Sequence, residues 1–231
     1  MDYQYSYLIG ALILLAVWII LFLWRKDIRK EMLVISSLIA VLSLPLNYLY
    51  AQDWWHPLTI TGTHLGIEDI ILGFAGGGIA AVVYEVVFKM KLKKRKIGKK
   101  LAKLELFFPL FLGLFLFFGI FYLFKISSFY SAVISAVISI GFIYFKRRDL
   151  ILDSIASGFL IMFFSLPAYW IPELITPGWV ESAWYLDKIS GVLIFGIPLE
   201  DIFWWFLVGA FIGPLYEYWQ ERRLVDRKSK K

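Results

Sequence analysis

Long apolar runs alternate with short charged stretches along the whole 231-residue chain. A helix needs about 20 apolar residues to cross the ~30 Å hydrocarbon core of a bilayer. Seven runs approach or reach that length: 6–24, 32–50, 66–88, 104–124, 127–145, 150–170 and 197–219. They predict an all-α integral membrane protein with seven transmembrane helices. The first run is full length and follows no basic segment, so it reads as a retained helix and not as a cleaved signal peptide.

Composition strengthens this picture. The chain is 60% hydrophobic and 19% aromatic, with a mean hydropathy of +0.73, whereas soluble domains are nearer half apolar. The absence of cysteine excludes disulfides, a thiolate nucleophile and iron–sulfur ligation. Of the 24 lysines and arginines, 22 lie in one set of loops and the tail: "RKDIRK", "KMKLKKRKIGKKLAK", "KRRD" and "ERRLVDRKSKK". The opposite loops hold only Lys125 and Lys188. The positive-inside rule then puts the N-terminus outside and the C-terminus in the cytoplasm of a multi-pass cell-membrane protein. The net charge of +6 thus points to orientation and anionic headgroups of the lipid bilayer, not to nucleic acid.

The chain repeats itself. "RKDIRKEMLVISSLIAVLSLP" (25–45) aligns without gaps on "RRDLILDSIASGFLIMFFSLP" (147–167), and "EDIILGFAGGGIAAVVYE" (68–85) on "EDIFWWFLVGAFIGPLYE" (200–217). Two blocks in the same order define a first three-helix repeat (1–88), a basic cytoplasmic loop with a connector helix (89–126), and a second repeat with a basic tail (127–231). The repeats insert in parallel, related by a pseudo-two-fold axis along the membrane normal. If helices 3 and 7 line that axis, Glu68, Asp69, Glu200 and Asp201 converge at one depth toward the outer side. The small stretch Ala75–Ala81 would then oppose Phe203, Trp204, Trp205 and Phe206, as packing or as the wall of a pocket.

Two readings of the acidic pairs compete. Pro198 suits a first helical turn, and acids there complement the helix dipole. Yet the pair occurs twice, the outer side offers almost no cations, and "VLIF" precedes the second pair. An ionised side chain well inside the bilayer costs about 2.5–3.5 kcal/mol. Carboxylates crowded without cations cannot all ionise, so the cluster would titrate as a unit and keep a proton, the requirement for a general acid. Trp204 lies four residues after Glu200, and Trp205 four after Asp201, each on its acid's helix face. Aromatic faces stabilise carbocations through cation–π attraction, although an interfacial tryptophan belt is the plainer reading.

Other acids and histidines carry less. His64 stands four residues before Glu68, a workable ligand spacing, but loop histidines are usually solvated and no metal is expected there. Glu85 and Glu217 follow their acidic pairs by about 17 residues, roughly 25 Å of helix, and are expected as surface ion pairs near the basic loops. Pro45 and Pro167 should kink helices 2 and 6.

The seven-helix plan, the duplicated unit and the acidic motif together resemble the lycopene cyclase domain family. That family's pattern is proline, any residue, glutamate, then glutamate or aspartate. Pro198-Leu199-Glu200-Asp201 matches it; Gly66-Ile67-Glu68-Asp69 has glycine in place of proline. The resemblance implies an intramolecular lyase or isomerase that closes the ψ-ends of a hydrophobic polyene into ionone-type rings. The steps are alkene protonation, attack by an internal double bond and proton loss. Glu200 and Asp201 would lead proton transfer, with Glu68 and Asp69 sharing the cluster. Trp204, Trp205 and Phe203 would stabilise the cation. No G-x-G-x-x-G follows a strand, so no dinucleotide cofactor is expected. A retinal protein would need a lysine in helix 7, which has none. The rival is a non-enzymatic isoprenoid or lipid carrier or scaffold; homo-oligomer formation is left open.

Overall fold

The computed structural model describes residues 3–95 and 103–227. Its helices are α1 (Ser6–Trp24), α2 (Arg29–Asp53), α3 (Ile67–Val87), α4 (Lys103–Phe124), α5 (Ser128–Lys146), α6 (Ile151–Ser165), α7 (Pro167–Ile175), α8 (Trp179–Ala183), α9 (Leu199–Ile212) and α10 (Leu215–Trp219). Seven spans are long and apolar enough to cross a membrane, with α6–α7 and α9–α10 each forming one broken span. The protein is all-α and spans the membrane seven times. Its outer surface is oily: Phe115 and Leu123 on α4 are 77% and 79% exposed, as expected of side chains that face lipid.

The breaks have a chemical cause. Pro167 opens α7 and Pro214 precedes α10; proline lacks the N–H that would continue the ladder. Pro45 sits inside α2 without ending it.

The two halves match bond for bond. In the first, the buried Arg25 guanidinium donates to both Asp27 oxygens (2.9 and 3.0 Å) and to the carbonyls of Glu85 (3.0 Å) and Met90 (3.1 Å). In the second, Arg147 donates to both Asp149 oxygens (2.9 Å each) and to the carbonyls of Glu217 (3.2 Å) and Arg222 (2.6 Å). Each arginine ties the turn between two helices to the end of the third, because a guanidinium has five donors in a fixed fork. The hydrogen bond from Arg25, helped by its charge, holds the Asp27 carboxyl below its ordinary range. Lys89 and Glu221 take left-handed conformations at equivalent positions past α3 and α10, a usual way to end a helix.

Four short strands complete the fold: β1 (Met90–Lys94), β2 (Leu193–Ile194), β3 (Ile197–Pro198) and β4 (Arg222–Asp226). β1 and β4, expected as plain basic loops, pair antiparallel from Met90–Asp226 through Leu92–Leu224 to Lys94–Arg222. At the opposite end of the bundle the halves meet again. His56 N–H donates to the Ala183 carbonyl (2.7 Å) and Tyr185 N–H to the Trp54 carbonyl (2.9 Å). β2 and β3 turn tightly through Phe195 and Gly196, both at positive φ, as a two-residue hairpin requires.

Small residues set the helix spacing. A Cβ at Gly77 would meet Ile39, and one at Gly78 would meet Ser36 and Trp18, so this face of α3 packs on α2 and α1. The expected contact with aromatic residues of the last span holds at Gly76, against Trp205. Glu85 and Glu217, expected as surface ion pairs, are buried, and no ion pair reaches them among the described residues. Helical rise fixed their depth but not their lateral position, which is the contact between the repeats.

Gly77 and Gly209 are equivalent, but a Cβ at Gly209 would abut backbone atoms of Ser157 and Gly158 on α6, whereas the three atoms nearest a Cβ at Gly77 all belong to the Ile39 side chain. Overpacking typically costs about 1–3 kcal/mol. Gly209→Ala should fall at the upper end and Gly77→Ala at the lower, read as loss of thermal-unfolding midpoint in detergent.

Candidate active site

Each acidic pair divides its contacts in the same way. The first carboxyl holds the loop before its helix: Ile60 N–H donates to Glu68 Oε1 (2.6 Å), and Ser190 N–H to Glu200 Oε1 (2.8 Å). The second turns into the bundle. Asp69 accepts from the Tyr7 hydroxyl (2.8 Å), the Asn47 amide (2.9 Å) and the Gly66 backbone (2.8 Å). Asp201 accepts from the Tyr169 hydroxyl at 3.2 Å, and Trp205 Nε1–H donates to the same hydroxyl at 2.8 Å. All four carboxyls are buried. They do not form one bonded quartet: among the described residues, no hydrogen bond joins the first pair to the second.

Between the halves lies a cavity of about 220 Å³. Its wall is apolar and aromatic, with Trp54, Trp55, Trp179, Trp184, Trp204 and Trp205 all contributing. Tyr7, Asn47 and Tyr169 also reach the wall, and Asp201 is the one carboxyl on it among the described residues. Asp69 stands behind Tyr7 and Asn47. Asp201 Oδ2 is buried and has no hydrogen-bond partner of good geometry, although the indoles of Trp54 and Trp184 lie beside the carboxyl. On α9 the lining runs from Asp201 to Ile212, about 16 Å of helix. The volume falls below the ~300–1,000 Å³ of most ligand pockets, so it suits one end of a long apolar molecule.

The aromatic wall is a connected set. Trp204 stands edge-on to Trp54 (5.8 Å between centroids) and Trp205 (5.1 Å), and Trp184 packs on Trp55 (5.4 Å), Tyr169 (5.7 Å) and Trp179 (5.4 Å). Tryptophan faces are the strongest aromatic cation binders. A cavity walled this way offers an acid at one point and electron-rich surface around it.

A family profile described as lycopene cyclase matches residues 4–87 and 127–219. The chain belongs to the lycopene cyclase family. No curated protein and no solved structure matches it significantly. The two matched stretches leave out β1 and the connector α4, which gives Phe117 to the cavity wall, and they contain all six wall tryptophans and both acidic pairs.

Within this lycopene cyclase fold, the structure places Asp201, Trp204 and Trp205 on the cavity and leaves Phe203 away from it. Phe203 is 42% exposed and lines a separate hollow with Phe129, Leu199 and Glu200. Sequence reasoning missed Asn47 and Tyr169, although a signal existed. Each stands two residues after the repeated Ser-Leu-Pro, so they are equivalents, and each donates to the aspartate of its own half. Trp54 and Trp184, in loops without repeat counterparts, gave no such signal. His64 hydrogen-bonds through Nδ1 to the His56 carbonyl at 2.8 Å, which keeps it within its loop.

If Glu200 acts by holding the loop, Glu200→Ala should speed hydrogen exchange at the Ser190 amide several-fold. A lost hydrogen bond of this kind is worth about 1 kcal/mol. Glu200→Gln keeps an acceptor oxygen and should leave that amide protected.

Proposed function

We propose that the chain is a carotenoid cyclase that closes the linear ψ-end of a lycopene-type polyene into an ionone-type ring, without a cofactor and without net redox change. The single observation that carries this reading is Asp201: one carboxyl on the wall of an otherwise apolar, tryptophan-lined cavity. The polyene end enters from the lipid and lies along α9 while the rest of the chain stays outside the protein. We further propose that the protein lies in the cell membrane, its N-terminus outside and its C-terminus in the cytoplasm.

In this mechanism Asp201 Oδ2 carries the proton and delivers it to the terminal alkene. The resulting tertiary cation is attacked by an internal double bond, which forms the ring carbon–carbon bond and moves the charge. Loss of a ring proton then restores neutrality, so atoms and electrons balance as an isomerisation. Trp204 and Trp205 stabilise the cation, and the remaining indoles of the wall exclude water that would capture it. Tyr169, held by Trp205 Nε1–H, orients the Asp201 carboxyl. The Asp201 carboxylate takes the ring proton back, which returns the site to its starting state, while Asp69, behind Tyr7 and Asn47, holds the Tyr7 hydroxyl at the cavity wall. Glu68 and Glu200 keep the two loops closed over the site. Burial in a low-dielectric wall strengthens such electrostatic effects.

Expression in a lycopene-accumulating host, followed by pigment analysis, tests the reading. The wild-type chain should yield cyclic carotenoids. Asp201→Asn should lower their formation by at least ~100-fold, the lower end of general-acid contributions, with the protein still inserted. Glu200→Gln should cost less. The reverse order would make Glu200 the donor, and unchanged lycopene with wild-type protein present would favour the carrier.

A further inference from the structure

At the basic-loop end of the bundle, far from the cavity acid, a second set of carboxyls lies where the repeats touch. Glu31 on α2, Glu85 on α3 and Glu217 on α10 each offer one oxygen, and these oxygens lie within 4.8 Å of one another. Asp153 on α6 is in electrostatic contact with Glu31 and Glu85. None of the four is more than 3% exposed. They are two equivalent pairs, Glu31 with Asp153 and Glu85 with Glu217, so the group straddles the pseudo-two-fold axis.

Among the described residues, their oxygens lack donors. Both oxygens of Glu31, Glu85 and Glu217, and Oδ2 of Asp153, are buried without a hydrogen-bond partner. Only Asp153 Oδ1 is served, by the Ser157 hydroxyl at 3.1 Å. A bond between Glu85 and Glu217 is open, but only if one of them carries a proton. Arg25 acts electrostatically on Glu85, and Arg222 on Glu31. Arg25 spends its donors on Asp27 and two carbonyls, and no ion pair reaches the four acids among the described residues. Buried polar groups are almost always satisfied, and buried charges are paired or coordinate metals.

We infer that these carboxyls bind a hard divalent cation of the Mg²⁺, Mn²⁺ or Ca²⁺ class, which clamps the two repeats together at this end. The donor set is oxygen only, which selects such ions over Zn²⁺ or Cu²⁺. Metal–oxygen distances of ~2.1 Å for Mg²⁺ place ligands roughly 3 Å apart when adjacent and about 4.2 Å apart when opposite, which the observed spread accommodates. The ligands come from α2, α3 and α10, so the ion would join both halves beside the β1–β4 pairing. On α3, Glu85 lies about 24 Å of helical rise from Asp69. The inference therefore does not rest on the cyclase reading.

The full chain, purified in nanodiscs and stripped with chelator, would be titrated with Mn²⁺ and followed by electron paramagnetic resonance and thermal unfolding. One Mn²⁺ per chain should bind saturably, raise the unfolding midpoint, and be displaced by Mg²⁺ or Ca²⁺ but not by K⁺. Loss of a group that merely hydrogen-bonds a ligand already weakens metal sites ~10–100-fold, so Glu31→Gln and Glu217→Gln should each weaken binding at least as much. Glu181→Gln, at the opposite end, should not. Absence of saturable Mn²⁺ binding by the wild-type chain would overturn the inference even if the variants failed to fold. Equal binding by the folded variants would do the same. A protonated-carboxyl infrared band lost in Glu217→Gln, with no metal dependence, would instead identify a proton-sharing pair.

Discussion

A carboxyl taken out of water must find a donor, a cation or a proton, because an unpaired buried charge costs several kcal/mol. This protein meets that constraint three ways. At the turns, Arg25 and Arg147 satisfy Asp27 and Asp149 with guanidinium forks. At one end of the bundle, backbone amides, hydroxyls and an amide side chain serve the paired acids. At the other end, among the described residues, Glu31, Glu85 and Glu217 meet without a protein donor, which leaves them a cation or a proton. The folded arrangement follows from where each acid finds its partner.

Duplication set these positions, and divergence then made the halves unequal. Gly73 stands where the second half has Trp205, and Leu72 where it has Trp204. Small residues in one half leave the space that indoles of the other half partly fill, and the remainder is the cavity. Asn47 and Tyr169 show the same drift: both donate to an aspartate, but only Asp201 reaches the cavity wall. The pseudosymmetric frame therefore holds a chemically asymmetric cavity.

The spans were legible in the sequence because a bilayer demands long apolar runs, and α1 and α5 begin within one residue of their expected starts. The equivalence of the two acidic pairs was legible through their repetition, and all four acids are buried. Their division of labour was not. Adjacent helical residues point about 100° apart, and only packing decides which faces the loop and which the cavity. The aromatic wall draws Trp54, Trp179 and Trp184 from segments outside the two aligned blocks, where no repeat marked them. β1 and β4 were hidden by lysines and arginines, although "KMKLK" does alternate polar and apolar positions.

The β1–β4 ladder has one more property. It centres on Leu92 opposite Leu224, which occupy the same place in their respective units. Each strand thus presents to the other the edge that it receives, an isologous contact of the kind that builds C₂ dimers. A half-length chain ending in such a strand would carry a self-complementary edge, able to engage a second copy of itself before any linker joined the two.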